Sequence, residues 1–121
     1  VRELLRMEFT DCSPGDFNSG SDNLRDHANR HRGDWNPSLS RSEYISRAMS
    51  YANGGVSGTE LYYQPGRDNL VVYDPSDNTV VIAGSEDSKI HTMYRVDPSS
   101  PKEVNKLNRN INNQWTFIKV L

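Results

Sequence analysis

The chain has 121 residues, a formal net charge of −2 and 34% hydrophobic residues, with a mean hydropathy of −0.81. That length suits one domain around one core, and two Trp, six Tyr and three Phe in a nearly neutral chain argue against disorder. The single cysteine, Cys12, excludes an internal disulfide framework and a multi-cysteine zinc site, and no apolar run approaches the roughly 18 residues of a membrane span.

A pI near 5.9 counts against a broad, polycationic nucleic-acid binder. The charge is uneven, however. Between Leu24 and Arg47 the chain carries Arg25, Arg30, Arg32, Arg41 and Arg47 with two histidines, against Asp26, Asp34 and Glu43. A local basic face on a near-neutral body fits an enzyme that holds one phosphate region. The plain alternative is a solvated helix surface with no partner.

Residues 1–22 read as a linker or tether that packs loosely, because Asp11-Cys12-Ser13-Pro14-Gly15-Asp16 and Ser19-Gly20-Ser21 interrupt any periodicity. The start at Val1, with no signal peptide, fits a piece excised from something longer. Residues 23–121 are expected to form the single domain.

A first helix is predicted from about Asp22 to Arg32, capped by Ser21 or Asp22 and stopped at Gly33. On it Leu24, His27, Ala28 and His31 fall at i, i+3, i+4 and i+7, so both histidines share the inward stripe. A second helix opens on the capping box Ser40-Arg41-Ser42-Glu43 and runs to Asn53-Gly54-Gly55. Tyr44, Ile45, Ala48, Met49 and Ala52 form its apolar face.

From Thr59 the pattern changes to short extended runs, 59–64, 69–73, 79–83 and 89–96, divided by turn residues. Spacing this tight implies antiparallel hairpins. Strict alternation puts Ile90, Thr92, Tyr94 and Val96 on one face of the last run and Lys89, His91, Met93 and Arg95 on the other. A third helix is expected from Pro101 with Ser100 as its cap, and Trp115–Leu121 can add a strand. The fold class is α+β, with helices packed on one face of an antiparallel meander.

His27 and His31 can reach one small volume, and histidine is the side chain that exchanges a proton near neutral pH. A zinc reading lacks the adjacent glutamate base of the metalloprotease motif, and Arg30 and Arg32 oppose a divalent cation. Two histidines packed against the sheet without a role are the structural alternative. Thr92 and Tyr94 would offer two hydroxyls about 7 Å apart along one strand face, although both residue types are also ordinary strand formers.

Together Leu24-Arg25-Asp26-His27-Ala28-Asn29-Arg30-His31, the Trp35 stop, Ser42-Glu43-Tyr44-Ile45-Ser46-Arg47-Ala48 and the hairpin run ending in Ile90-His91-Thr92-Met93-Tyr94 resemble small bacterial toxin ribonucleases. These are the barnase/EndoU/colicin/RelE-like (BECR) domains at the C-termini of contact-dependent growth inhibition proteins and other polymorphic toxins. The resemblance covers about residues 23–97. It departs from the family at Ala28, usually aromatic there, in the loop Arg32-Gly33-Asp34-Trp35, and in the extension 98–121.

The resemblance implies metal-independent cleavage of RNA, usually tRNA, with no cofactor. His27 and His31 would be the base and the acid, in either order. Thr92 and Tyr94 would donate to phosphate oxygens, and Arg30 or Arg32 would neutralise charge. The family also implies secretion or cell-surface display within a larger toxin, action in the target-cell cytoplasm, and a cognate immunity protein. Elongation factor Tu is a further candidate partner that no residue here reports. The competing reading is a non-catalytic binding module of a bacterial surface or phage protein, which the enzyme reading excludes only if His27, His31, Thr92 and Tyr94 converge in one cleft.

Overall fold

A computed structural model describes residues 17, 18 and 22–121. Residues 1–16 and 19–21, with most of the expected tether and the Ser21 cap, lie outside the described residues. Helix α1 spans Asp22–His31 and continues into a 3₁₀ turn, Arg32–Asp34; helix α2 spans Arg41–Ala52. Strands β1 (Glu60–Gln64), β2 (Asn69–Asp74), β3 (Thr79–Gly84) and β4 (Ile90–Arg95) follow, then helix α3 (Pro101–Arg109), a wide helical turn (Asn110–Gln114) and β5 (Thr116–Val120). The fold is α+β, with α1 and α2 preceding an antiparallel five-stranded sheet of order β4-β3-β2-β1-β5.

Local chemistry sets the boundaries. At α2 the capping box is complete: Ser40 Oγ accepts the Glu43 amide at 3.1 Å, and Glu43 Oε1 accepts the Ser40 amide at 2.9 Å. At α3 only half of that pattern forms, with Ser100 Oγ accepting the Glu103 amide at 3.3 Å. The hairpin turns share a device. Asp68, Asn78 and Ser88, ten residues apart, adopt φ of 54°, 51° and 56°, and short polar side chains tolerate that left-handed conformation best.

The sheet buries both faces. On one, Leu24 and Ala28 of α1 and Tyr44, Ala48 and Ala52 of α2 pack on Leu61, Leu70, Val72, Val81, Ile90 and Met93. Ile45 and Met49 are only partly buried against this cluster. On the other, Leu107 and Trp115 pack with Tyr62, Val71, Val80 and Val96, and Ile82 sits partly buried among them. The expectation that all helices share one face is therefore corrected. Residues 98–121 carry α3 across the opposite face, where Val104, Leu107 and Ile111 bury its apolar stripe.

Two residues of the expected tether are described, and both meet the domain. Phe17 is buried in the α1–α2 core, Asn53 bonds its amide and carbonyl at 3.0 and 3.1 Å, and Asn18 bridges to the β3–β4 turn beside Lys89.

Two tyrosines of α2 lock the helix to the sheet. Tyr51 donates to Asp74 Oδ2 at 2.7 Å, while Asp74 Oδ1 accepts the Ser76 amide at 2.9 Å and holds the β2–β3 turn. Tyr44 donates to the Met93 carbonyl and accepts the Met93 amide at 2.8 Å. β4 is an outer strand of the sheet, so this one phenol satisfies both outward backbone groups of Met93. Burial pushes the Tyr44 phenol up in pKa, against the Met93 bond. Tyr44→Phe should therefore cost roughly 1–3 kcal/mol, since it orphans two buried backbone groups at almost constant volume. Urea denaturation would read this as a lower midpoint at unchanged slope; an unchanged midpoint would mean that water replaces the phenol at the strand edge.

Candidate active site

Helix α1 sets its two fully buried residues, Leu24 and Ala28, against the sheet beside β4. His27 and His31, on the flank of that stripe, reach past the strand edge toward the α3 side. Their rings stack at 5.8 Å with 10° between planes, and His31 lies 6.0 Å from the Tyr94 ring. The histidines, Thr92 and Tyr94 line one wall of a cleft of about 650 Å³. The other wall comes from the β1–β2 hairpin (Gln64, Arg67, Asn69) and from α3 and its wide turn (Glu103, Lys106, Leu107, Asn110), closed by Trp115. All four residues expected to converge, His27, His31, Thr92 and Tyr94, belong to this cleft.

His91 belongs to it too, which corrects the alternation expected for β4. Ile82 pairs with Thr92 but the adjacent Ala83 pairs with Ile90, so His91 is the extra residue of a β-bulge. The bulge breaks the period of two. Ile90 and Met93 face the α1–α2 core, while His91 joins Thr92 on the cleft side.

Each imidazole has a distinct setting. His31 Nδ1 lies 2.9 Å from Asp34 Oδ2, which also accepts the Arg95 amide at 3.3 Å. A carboxylate only accepts, so Nδ1 carries the proton and Nε2 is the atom left to exchange one. His91 Nε2 is 3.7 Å from Asp87 Oδ2. Gly84 makes that placement possible, since a Cβ there would come within 2.1 Å of the Asp87 carboxylate. The side chains of His31 and His91 remain 30% and 31% exposed, enough for a ligand to touch both.

His27 is different. Arg30 donates to its Nε2 at 3.2 Å, which puts the ring proton on Nδ1, and Nδ1 is buried without a partner. Burial lowers its pKa first, and the neighbouring charges of Arg30 and His31 lower it further, against Asp26. His27 is thus held neutral at physiological pH.

Tyr94 is pushed up to about 12 by burial, so its hydroxyl stays protonated as a donor. The Thr92 hydroxyl lies close enough to Tyr44 to hold that phenol's pKa down, yet it is buried with no hydrogen bond of good geometry. Among the described residues, the buried side-chain polar atoms that lack a partner are His27 Nδ1, Thr92 Oγ1 and Trp115 Nε1. All three residues line the cleft. Unpaired buried polar atoms are rare and each costs roughly 1–3 kcal/mol, so three in residues that line one cleft mark the place where the fold leaves hydrogen-bonding capacity unused.

Neither arginine assigned to phosphate lines the cleft. Arg30 reaches it only through His27, and Arg32 Nε donates to the Leu39 carbonyl at 2.8 Å, where it holds the loop before α2. The cations on the cleft wall are instead Arg67 and Lys106. No group of three or more potential metal-ligating side chains occurs among the described residues. Asp34 was legible only as part of a helix stop, and Arg67 only as a turn residue.

Compared with protein-family models, curated proteins and solved structures, the chain finds no match.

The lowered pKa of His27 has a thermodynamic consequence. The unfolded chain takes up this proton at the ordinary value of 6.5, above the folded value. Stability is therefore fully present above that pH and declines as the pH falls from 6.5 through the folded pKa. An NMR titration of His27 should give a midpoint below 6.5, and His27→Gln should flatten the stability difference between about pH 7.5 and about pH 5.5. A midpoint at or above 6.5 would overturn the assignment.

Proposed function

We propose that this domain is a metal-independent toxin endoribonuclease that cleaves tRNA by attack of a ribose 2′-hydroxyl on the adjacent phosphorus. The observation that carries the reading is the coincidence, in one cleft, of three imidazoles, the neutral Tyr94 hydroxyl and three unpaired buried donors. One imidazole accepts the proton of the 2′-hydroxyl as the oxygen bonds to phosphorus. A second returns a proton to the departing 5′-oxygen, which leaves a 2′,3′-cyclic phosphate and a free 5′-hydroxyl.

Asp34 suits His31 to one of these tasks, because it fixes the ring and leaves Nε2 free. Neutral His27 has its one lone pair at Nε2, so it suits the base once Arg30 turns from that nitrogen to the phosphate. Thr92 and Tyr94 donate to the non-bridging oxygens, where charge builds as the phosphorus becomes five-coordinate.

The resemblance to BECR toxins of contact-dependent growth inhibition supplies the biological setting. In that setting the domain is delivered into competing bacteria as part of a larger toxin, acts in their cytoplasm and is neutralised by a cognate immunity protein. The described residues contain no helix long and apolar enough to cross a membrane.

The test is incubation of the purified domain with total bacterial tRNA, with and without EDTA. Cleavage of one or a few tRNAs, unaffected by EDTA and ending in cyclic phosphate, is the expected result. His31→Ala should lower the rate about 100- to 10,000-fold. Tyr94→Phe, which deletes one hydroxyl and almost no volume, should cost roughly 100-fold or more. Intact tRNA after prolonged incubation, or full activity in both variants, would sink the proposal.

A further inference from the structure

The cleft has a second pole that the chemistry above does not use. Arg67, in the β1–β2 turn, and Lys106, on α3, are exposed, line the cleft, and make no side-chain hydrogen bond or ion pair with the described residues. The one carboxylate on this wall, Glu103, accepts the Asp97 amide at 3.5 Å and pairs with neither cation, and two cations against one carboxylate leave the wall net positive. Trp115, 6% exposed and with its buried indole N–H unpaired, lines the same cleft.

Sheet geometry separates this pole from the histidines. The turn that bears Arg67 joins β1 to β2, and the sheet order sets β1 three strands away from β4. The Arg67 turn, between β1 and β2, therefore lies two to three strands from β4, roughly 10–14 Å at about 4.8 Å per strand and longer than a single nucleotide. In an extended RNA the phosphate nearest Arg67 is then a neighbour of the one at His31 and Tyr94.

Resting on the ribonuclease reading, we propose that Arg67 and Lys106 form a second phosphate subsite, which holds single-stranded RNA by a phosphate flanking the scissile one. The substrate class is then an extended RNA segment of several nucleotides, such as a tRNA loop, with the chain running across the sheet from β4 toward β1. Cations that hold phosphate give no base selection, so this pole contributes affinity and register while sequence is read elsewhere.

Two substrates separate the poles. A dinucleoside monophosphate carries only the scissile phosphate, whereas a tetranucleotide adds flanking ones. The double variant R67A/K106A should lose about tenfold or more in kcat/KM on the tetranucleotide relative to its loss on the dinucleoside monophosphate. Binding is read separately with a hexanucleotide methylated at every 2′-hydroxyl, which has no nucleophile. There the double variant should bind more weakly, and its log K against log salt slope should flatten by about 0.7 for each phosphate contact removed.

Equal losses on both substrates, with an unchanged salt slope, would overturn the subsite and leave the ribonuclease reading standing. Salt-dependent binding that the variant loses, in a protein that cleaves no RNA, would uphold the subsite and refute the ribonuclease. Both side chains are exposed, and an unchanged denaturation midpoint would show that the variant is folded.

Discussion

The phenol of Tyr44, bonded to both backbone groups of Met93, decides where helix α2 meets the outer strand β4. An outer strand leaves a row of amides and carbonyls unpaired, and that row is a liability until something covers it. Here Tyr44 covers the middle, Phe17 and Asn18 cover the end near Lys89, and α1 lies alongside with Leu24 and Ala28 fully buried. Once α1 is fixed there, residues one position round its surface pass the edge of β4. His27 and His31 are those residues. The same contacts that protect the strand thus carry two imidazoles to the opposite face, where Thr92 and Tyr94 already point.

The cleft also shows how a chain of net charge −2 can hold a polyanion. Arg30 sits on His27, Arg32 on a carbonyl and Arg41 on Asn29, so three of the five arginines between Leu24 and Arg47 are spent on internal structure. What remains for a ligand is a small number of donors held out of water, together with Arg67 and Lys106. A donor held out of water is worth more to an anion than one on a fully solvated surface, because less water competes for the same oxygen. Net charge is therefore a poor guide to this site, and local burial a better one.

Much of this was legible in the sequence, and the failures are local. The Ser40–Glu43 capping box, the Ser100–Pro101 start and the turn residues at 65–68 and 75–78 act within a few residues of chain, so they mark α2, α3 and the hairpins directly. The periodicity of α1 paired His27 with His31 and alternation in β4 paired Thr92 with Tyr94; the resemblance to BECR toxins is what joined the two pairs into one expected site. His91 escaped because a bulge depends on how β4 meets β3, and alternation read along one strand assumes a regular partner. Asp34 escaped because its role is defined by the His31 ring and the Arg95 amide, both supplied by tertiary packing. The side of the sheet that α3 covers was equally invisible, since its amphipathic stripe says that a face is buried and not which one.

The placement of β5 beside β1 bears on how the cleft comes into being. Strands β1 to β4 join through short turns, whereas β5 reaches β1 across roughly fifty residues, a closure that costs about 2 kcal/mol more than a four-residue turn. Helix α3, Lys106 and Trp115 all lie within that long connection. A chain refolding from an extended state can zip its hairpins locally, but its histidines reach β4 only when α1 docks there, a contact that ties Asp34 to Arg95, 61 positions on. Any activity of this cleft therefore waits on two long-range closures, and a chain that has made only one of them holds either the chemistry or the wall that would keep a substrate against it.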